Sequence, residues 1–364
     1  MKNGSTVAAF EREFAAYVGA KYAIALCNGT ATLHTALIAL GVKPGDRVPV
    51  PPLTMSATTI AVLHAGAVPV FCDIDKRTWL MNQFPPDAAA FLPVSLYGLN
   101  LPWSGGRTIV DAAQTLRVGG TQMEHPPAFL SYSFQASKIL PLGEGGMLVT
   151  NDEELATCAR EFSSLGYRMR ADQPRIDPAV LKSPTYERHH SMGYNYRMND
   201  VTADFGLRNL ERYGKMALAD AALHNRRAAA ALYRQSVAGC SWITPQHVPD
   251  GWTHDYWCYT VALASADLWH PFVDAIVRHG GERPYAAWKL TYEEPAFVYL
   301  DPRKAVTHRV GNEVHFYSEF TKGCPVAEDL QPRLVQFQTN DIRSAERNAE
   351  AIRRAIHDLG ELPH

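Results

Sequence analysis

The segment SYSFQASKILPLGEGGMLVTND, residues 131–152, sets one lysine, Lys138, between a short polar run and a glycine pair. It follows directly on an apolar stretch of the kind that forms a buried strand. A lysine ammonium is strongly hydrated and is almost never fully buried without a partner, so its neighbours decide whether it is a surface charge or a reagent. Burial and nearby positive charge depress an amine's pKa and make it nucleophilic, and such a lysine can form a Schiff base with an aldehyde. Two other places offer matching chemistry. NGTAT, residues 28–32, reads as a strand-to-helix turn, where free backbone N–H groups and the positive end of a helix dipole suit a phosphate. Asp111 closes the apolar run of RTIVDAAQ, residues 107–114, and can hold a positive charge such as a pyridinium nitrogen at a sheet edge.

The elements that must position these residues follow from the alternation of apolar and amphipathic runs, which favours an α/β architecture. KYAIALC (21–27) reads as a buried strand, and ATLHTALIALG (31–41) as a helix ended by Gly41. RVPV opens the next strand and MSATTIAVLHAGA is a helix. VPVFCDID, FLPVSLYG, RTIVDAAQ and AFLSYSF read as further strands, and DEELATCAREFSSLG turns helical. NDVTADFGLRNLERYGKMALADAALHNRRAAAALYRQ (199–235) reads as one long helix capped by Asn199 or Asp200. A large domain over 1–236 and a smaller α+β domain over 237–364 are expected. A mostly parallel sheet gathers functional residues at the carboxyl ends of its strands, and Gly29, Asp111, Ser133 and Lys138 all fall at or just beyond such ends. Phosphate cradle, buried acid and reactive lysine together describe a site for pyridoxal 5'-phosphate.

Composition narrows the alternatives. The 364 residues are 46% hydrophobic and 20% charged, which suits a folded chain of about two domains. A formal net charge of −2 lacks the basic excess of non-specific nucleic-acid binding. No apolar run is long enough to span a bilayer, and the start MKNGSTVAAFEREFAAYVGAKY has no signal-peptide core, so a cytoplasmic location is expected. The six cysteines are scattered without a CxxC pair, which suggests neither a zinc site nor a disulfide framework. The paired His189 and His190 have no third ligand at suitable spacing and read as a loop; no metal is expected.

Several ordered blocks carry a resemblance: FEREFAAYVGAKYAIALCNGTATLHTALIALGVKPGDRV, PPLTMSATTIAVLHAGAVPVFCDID, VDAAQ, SFQASKILPLGEGGMLVTND and GYNYRMND. In these the chain resembles the DegT/DnrJ/EryC1/StrS sugar aminotransferases, from about residue 7 to the C-terminus. That resemblance implies the fold type I (aspartate aminotransferase-like) architecture of pyridoxal-phosphate enzymes. It makes Lys138 the lysine bound to the cofactor and Asp111 the partner of the pyridine nitrogen. Gln114 would face the ring's phenolic oxygen, and Ser133, Gly29 and the backbone of Thr30 and Ala31 would hold the phosphate. Met55 stands where the family usually stacks an aromatic ring, a place its polarizable sulfur can also fill. Asn195 in GYNYRM would reach the phosphate of a second subunit, implying a homodimer with shared active sites.

Each residue also has a plainer role. Lys138 can be a solvated loop lysine, Asp111 a helix cap, Gln114 a surface amide and Ser133 a strand serine; Gly145 and Gly146 suit a tight turn and backbone clearance. The implied reaction moves an amino group from glutamate or glutamine to a keto sugar, most simply a nucleotide-linked one. A free cyclitol ketone or a sugar phosphate is the alternative acceptor. A dehydratase of the same fold is disfavoured by Lys138, and a non-catalytic regulatory protein by the complete set of Lys138, Asp111, Gln114 and Ser133. Arg168, Arg170, Arg175, Lys182 and Arg188 offer a diphosphate site or simply a solvated basic loop. The short leader before FEREFA and the long tail after residue 287 depart from the family pattern and bear on the acceptor.

Overall fold

A computed structural model describes residues 6–100, 105–116, 126–172, 178–210, 212–213, 216–298 and 323–360. Arg175, and most of the tail between residues 299 and 322, lie outside the described residues. In chain order the first half contains α1 (Thr6–Val18), β1 (Tyr22–Leu26), α2 (Gly29–Ala39), β2 (Arg47–Val50), α3 (Ala57–His64), β3 (Val68–Phe71), β4 (Ile109–Asp111), β5 (Phe129–Ser133), β6 (Gly146–Thr150) and α4 (Glu153–Ser163). There follow α5 (Pro178–Leu181), α6 (Asp200–Leu210), β7 (Arg212–Tyr213), β8 (Met216–Ala217) and α7 (Leu218–Val237). The last part holds β9 (Ile243–Pro245), β10 (Cys258–Leu263), α8 (Trp269–Arg278), β11 (Tyr285–Ala286), α9 (Pro295–Val298), α10 (Pro325–Leu330), β12 (Leu334–Gln338) and α11 (Ile342–Leu359).

The strands of the first half form a mixed sheet. Its order β1-β6-β5-β4 continues through the 91–94 segment, because the Leu92 N–H donates to the Pro49 carbonyl and the Ile109 N–H to that of Phe91. β2 and β3 then pair in parallel, as do β4 and β5; β6 runs antiparallel to both its neighbours. Because β4 and β5 run parallel and β1 ends opposite the start of β6, the ends Leu26, Asp111 and Ser133 collect at one edge. FLPVSLYG therefore makes only bridges at Phe91 and Val94 before a tight turn over Leu96–Gly98.

Helices cover both faces. Phe10 and Phe14 of α1 are fully buried against Tyr132 and Phe134, and α2 and α3 pack with Val48, Val50 and Phe129 on the other face. One buried ion pair ties α1 to α4: Arg160 Nη1 and Nη2 donate to Glu11 Oε1 and Oε2 at 3.0 and 2.9 Å. The guanidinium also reaches the carbonyls of Ala23 and Ala171, and Glu11 Oε1 accepts the Ala25 N–H. Removing one partner of so buried a pair strands the other charge. Arg160→Met is expected to lose about 3–5 kcal/mol, read as a lower denaturation midpoint, with part recovered when Glu11→Met is added.

One expectation needs correction. The stretch 199–235 is two helices, α6 and α7, separated by the two short strands β7 and β8. Gly214 stands between them in sequence, and a mid-helix glycine costs about 1 kcal/mol relative to alanine. Asn199 does cap α6, accepting the Thr202 N–H at 2.8 Å. The C-terminal sheet, ordered β11-β12-β10-β9 and antiparallel throughout, packs on α7, α8 and α11. Its core takes Ala229, Ala230, Tyr233 and Val237 from α7, whereas Ala219 and Leu223 of the same helix belong to the first core. Among the described residues no helix is long and apolar enough to cross a membrane.

Candidate active site

The sequence builds the site from strand ends. β1 runs out at Leu26, and Asn28 stops the extended chain by capping α2, its side chain accepting the Ala31 N–H at 2.8 Å. Helix geometry leaves the N–H groups of Gly29 and Thr30 without carbonyl partners inside α2. Gly29 must be glycine for a local reason: a Cβ there would lie 2.9 Å from the Cβ of Ser133, the last residue of β5. Gly146 is equally constrained, since its Cβ would lie 2.6 Å from the Asn28 carbonyl oxygen. Strand pairing aligns Leu26, Gly146 and Ser133, so the start of α2 and the Ser133 hydroxyl meet at one edge.

Asp111, the last residue of β4, is buried with only 5% exposure. The Thr58 hydroxyl donates to its Oδ2 at 2.8 Å and the Ala113 N–H to its Oδ1 at 3.1 Å. Burial pushes its carboxyl above the usual range; the Thr58 and Ala113 hydrogen bonds and the charge of Lys138 pull it back. Lys138 lies in the turn after β5 and is half-buried. Burial pushes its amine below the ordinary lysine value, against the opposing influence of Asp111 and then Cys258. Its Nζ lies 5.0 Å from the centroid of the Trp257 ring, and that indole N–H donates to the Ser137 carbonyl at 2.9 Å. Trp257 thus braces the lysine turn from the C-terminal half of the chain, and its ring stacks on Trp288.

Met55 lies just before α3 and is 50% exposed. Its carbonyl lies 3.3 Å from the Thr58 hydroxyl oxygen, whose proton goes to Asp111, so its backbone joins the residues around Asp111. Gln114 is buried, and its amide oxygen accepts the Tyr97 N–H, which turns its NH2 group into the free-facing donor. Asp255, fully buried, holds the loop beyond Gln114: Oδ2 accepts the Thr115 hydroxyl at 2.6 Å and the Leu116 N–H at 2.9 Å, and Oδ1 accepts from Arg227.

The structure therefore brings Gly29, Thr30, Ala31 and Ser133 into one group, and Met55, Asp111 and Lys138 into another beside it. Asn195 lies next to residues that border the first group: its neighbours Tyr196 and Arg197 pair with Cys27 and Leu26, just before the α2 turn. It is exposed and pairs in an antiparallel bridge with Ser164 beyond α4, while the flanking Tyr196 carbonyl accepts the Cys27 N–H. The Ala31 N–H, expected to be open, is taken by the Asn28 cap, which leaves Gly29 and Thr30 as the open donors. Sequence reasoning missed Asn28, Thr58, Trp257 and Asp255. Asn28 carried a signal, since asparagine before a helix is a favoured cap; the others bond across long separations. His189 spends Nδ1 on the Leu165 carbonyl and stacks on Tyr167, and no cluster able to hold a metal occurs among the described residues.

This donor set fits pyridoxal phosphate on its own terms. A turn with open N–H groups and a glycine-cleared hydroxyl matches a phosphate, and a buried carboxylate in an apolar setting calls for a cationic partner. The fold is that of the fold type I pyridoxal-phosphate-dependent transferases. The family model described as the DegT/DnrJ/EryC1/StrS aminotransferase family matches residues 1–102 and 106–314, and the chain belongs to that family. It is a pyridoxal-phosphate-dependent sugar aminotransferase. It is 35% identical over 280 residues to a GDP-perosamine synthase of Caulobacter vibrioides, covering 71% of this chain and 70% of that one. It is 30% identical over 375 residues to a UDP-N-acetyl-3-dehydro-alpha-D-glucosamine 3-aminotransferase of Acidithiobacillus ferrooxidans, covering 97% and 89%. The solved aminotransferase of Psychrobacter cryohalolentis shares the fold with a TM-score of 0.78 at 24% identity, over 98% of this chain and 92% of that one.

Proposed function

We propose that this enzyme moves an amino group from glutamate or glutamine to a keto sugar carried on a nucleotide, as a cytoplasmic homodimer. The observation that carries the catalytic assignment is the mutual electrostatic influence of half-buried Lys138, in the turn after β5, and buried Asp111, at the end of β4. The acceptor class draws on relatives whose names specify GDP- and UDP-linked sugars.

When bound, pyridoxal phosphate supplies an aldehyde that carries the amino group between substrates and a ring that accepts electron density from the carbon losing its proton. Lys138 takes that proton at Nζ and returns it to the neighbouring carbon; an amine pushed below its ordinary pKa spends more time neutral and ready to do so. Asp111 would face the ring nitrogen and hold its proton there, and the Thr58 hydroxyl fixes the carboxylate's orientation. Gln114 would donate its amide N–H to the phenolic oxygen. Gly29 and Thr30 at the start of α2, with the Ser133 hydroxyl, would receive the phosphate, the Ala31 N–H being held by the Asn28 cap, and Met55 would cover the ring face. Residues 1–236 form the cofactor unit and 237–364 the smaller one, with Ala229, Ala230 and Tyr233 of α7 packing into the core of the second.

Asn195 serves the neighbouring subunit's phosphate site. Its exposure supports this, as do the exposed Met192, Tyr194, Val201 and Phe205 around it, at 93, 49, 82 and 51%. Apolar residues that face solvent so freely suit an obligate interface, which typically buries more than ~2,000 Å². Co-folding inactive Lys138→Ala with inactive Asn195→Trp subunits is expected to restore partial activity, because one site of the heterodimer then carries both defects and the other neither. No recovery from a verified heterodimer contradicts the shared site. The acceptor is tested by screening nucleotide-linked keto sugars beside free cyclitol ketones; turnover of the free ketones alone overturns that half of the reading.

A further inference from the structure

A second cavity, of about 620 Å³, opens between the turn after β3 and the β9–β10 edge of the C-terminal sheet. Lys138, Asp111, Ser133 and Gln114 are not among its lining residues. Its wall is basic: Lys76 and Arg77 come from the turn, Arg234 from α7, and His247 and His254 from the β9–β10 region. No carboxylate belongs to the wall among the described residues. The nearest acid in sequence, Asp75, spends Oδ1 on the N–H groups of Arg77 and Thr78 and on the Thr78 hydroxyl. Arg77 Nη2 lies 2.9 Å from His247 Nε2, and Arg234 Nη2 donates to the Tyr256 hydroxyl at 2.8 Å. These bonds orient the guanidinium groups, and the Asp75 carboxylate behind the turn acts electrostatically on Arg77.

A second observation points the same way. Tyr259, on the wall of this cavity, is 4% exposed, and its hydroxyl is buried with no hydrogen-bond partner. Buried polar groups are nearly always paired, and this unpaired hydroxyl belongs to a wall residue on which the Arg234 charge acts. His254 adds no charge: burial, with Arg234 and Arg227 nearby, pushes its pKa down to about 3. Its neutral ring stacks on Tyr256 at 3.9 Å between centroids and presents a flat wall next to the cations.

We propose that this cavity binds a diphosphate-bearing small molecule at a site separate from the transamination centre. Two guanidinium forks and an ammonium suit a diphosphate's oxygens, and the volume falls within the range of small-molecule sites. Either free pyrophosphate or a nucleoside diphosphate has this chemistry. The assignment does not rest on the acceptor proposed above, and loading the enzyme with its cofactor keeps the α2 phosphate cradle out of the measurement.

The test is calorimetric titration of the cofactor-loaded enzyme with pyrophosphate and, separately, with UDP. Saturable pyrophosphate binding is expected. The Arg77→Gln/Arg234→Gln double variant should weaken it roughly 10- to 100-fold, the cost of losing charge-assisted hydrogen bonds. Tyr259→Phe should weaken it less without lowering the melting temperature, and the rate of the glutamate half-reaction should stay unchanged in all three proteins. A UDP affinity well above that of pyrophosphate, lost in the double variant, identifies a nucleotide as the ligand; equal affinities identify the diphosphate alone. Absence of saturable pyrophosphate binding, or an affinity the double variant leaves untouched, overturns the proposal.

Discussion

Lys138→Ala is expected to abolish transamination while leaving the fold intact. The side chain contributes nothing to the main cores, and its turn is held by other means. The Trp257 indole donates to the Ser137 carbonyl, the Ala136 N–H to that of Gly143, and the Phe134 N–H to that of Gly145. Circular dichroism and cofactor retention by dialysis should therefore report a folded protein that holds pyridoxal phosphate only noncovalently. The loss of rate is large because one residue both attaches the cofactor and carries the proton. General acid–base transfer alone contributes about 10²–10⁴-fold. Appreciable turnover in a clean preparation of the variant sinks the assignment of Lys138.

Asp111→Asn separates catalysis from stability. Removing the charge that faces the ring nitrogen weakens the electron sink while the shape survives, and a fall of roughly 10²–10³-fold in rate is expected, as for other lost electrostatic contacts. The cofactor-free protein should respond in the opposite direction. Burial raises the Asp111 carboxyl, so folding favours its protonated form. A group raised in this way stabilises the fold fully below its unfolded pKa of about 3.9 and loses that contribution as pH rises through the folded value. At pH 7 the ionised carboxylate is thus a cost, and apo Asp111→Asn should melt at or above the wild-type temperature. The gap should close as pH is lowered toward 4. Near-normal rates would place the ring's partner elsewhere; a lower melting temperature at pH 7 would contradict the burial argument.

Strand ends and helix starts were legible because each is written locally. Asp111 and Ser133 each end a short apolar run, and NGT marks a turn into a helix whatever the rest of the chain does. The residues that hold the site in register were not legible, because their partners are distant: Thr58 and Asp111 are 53 positions apart, and Trp257 and Ser137 are 120. No periodicity encodes such a pairing. The break between α6 and α7 was missed for another reason. Alanine and leucine on both sides sustain a helical pattern, so apolar spacing alone carries no break between α6 and α7. The role of Asn195 rests on the resemblance alone; among the described residues its backbone bridges Ser164.

The central claim is that Lys138 and Asp111 form a working transamination centre, and a single-turnover assay reads it without the acceptor. Cofactor-loaded enzyme is mixed with excess glutamate and with glutamine in parallel, no keto sugar is present, and released keto acid is counted against active sites. The account predicts one equivalent of keto acid per site from at least one donor, the same rate on dilution with buffer, and none from Lys138→Ala. Absence of stoichiometric keto acid from fully loaded wild-type enzyme with either donor would contradict it.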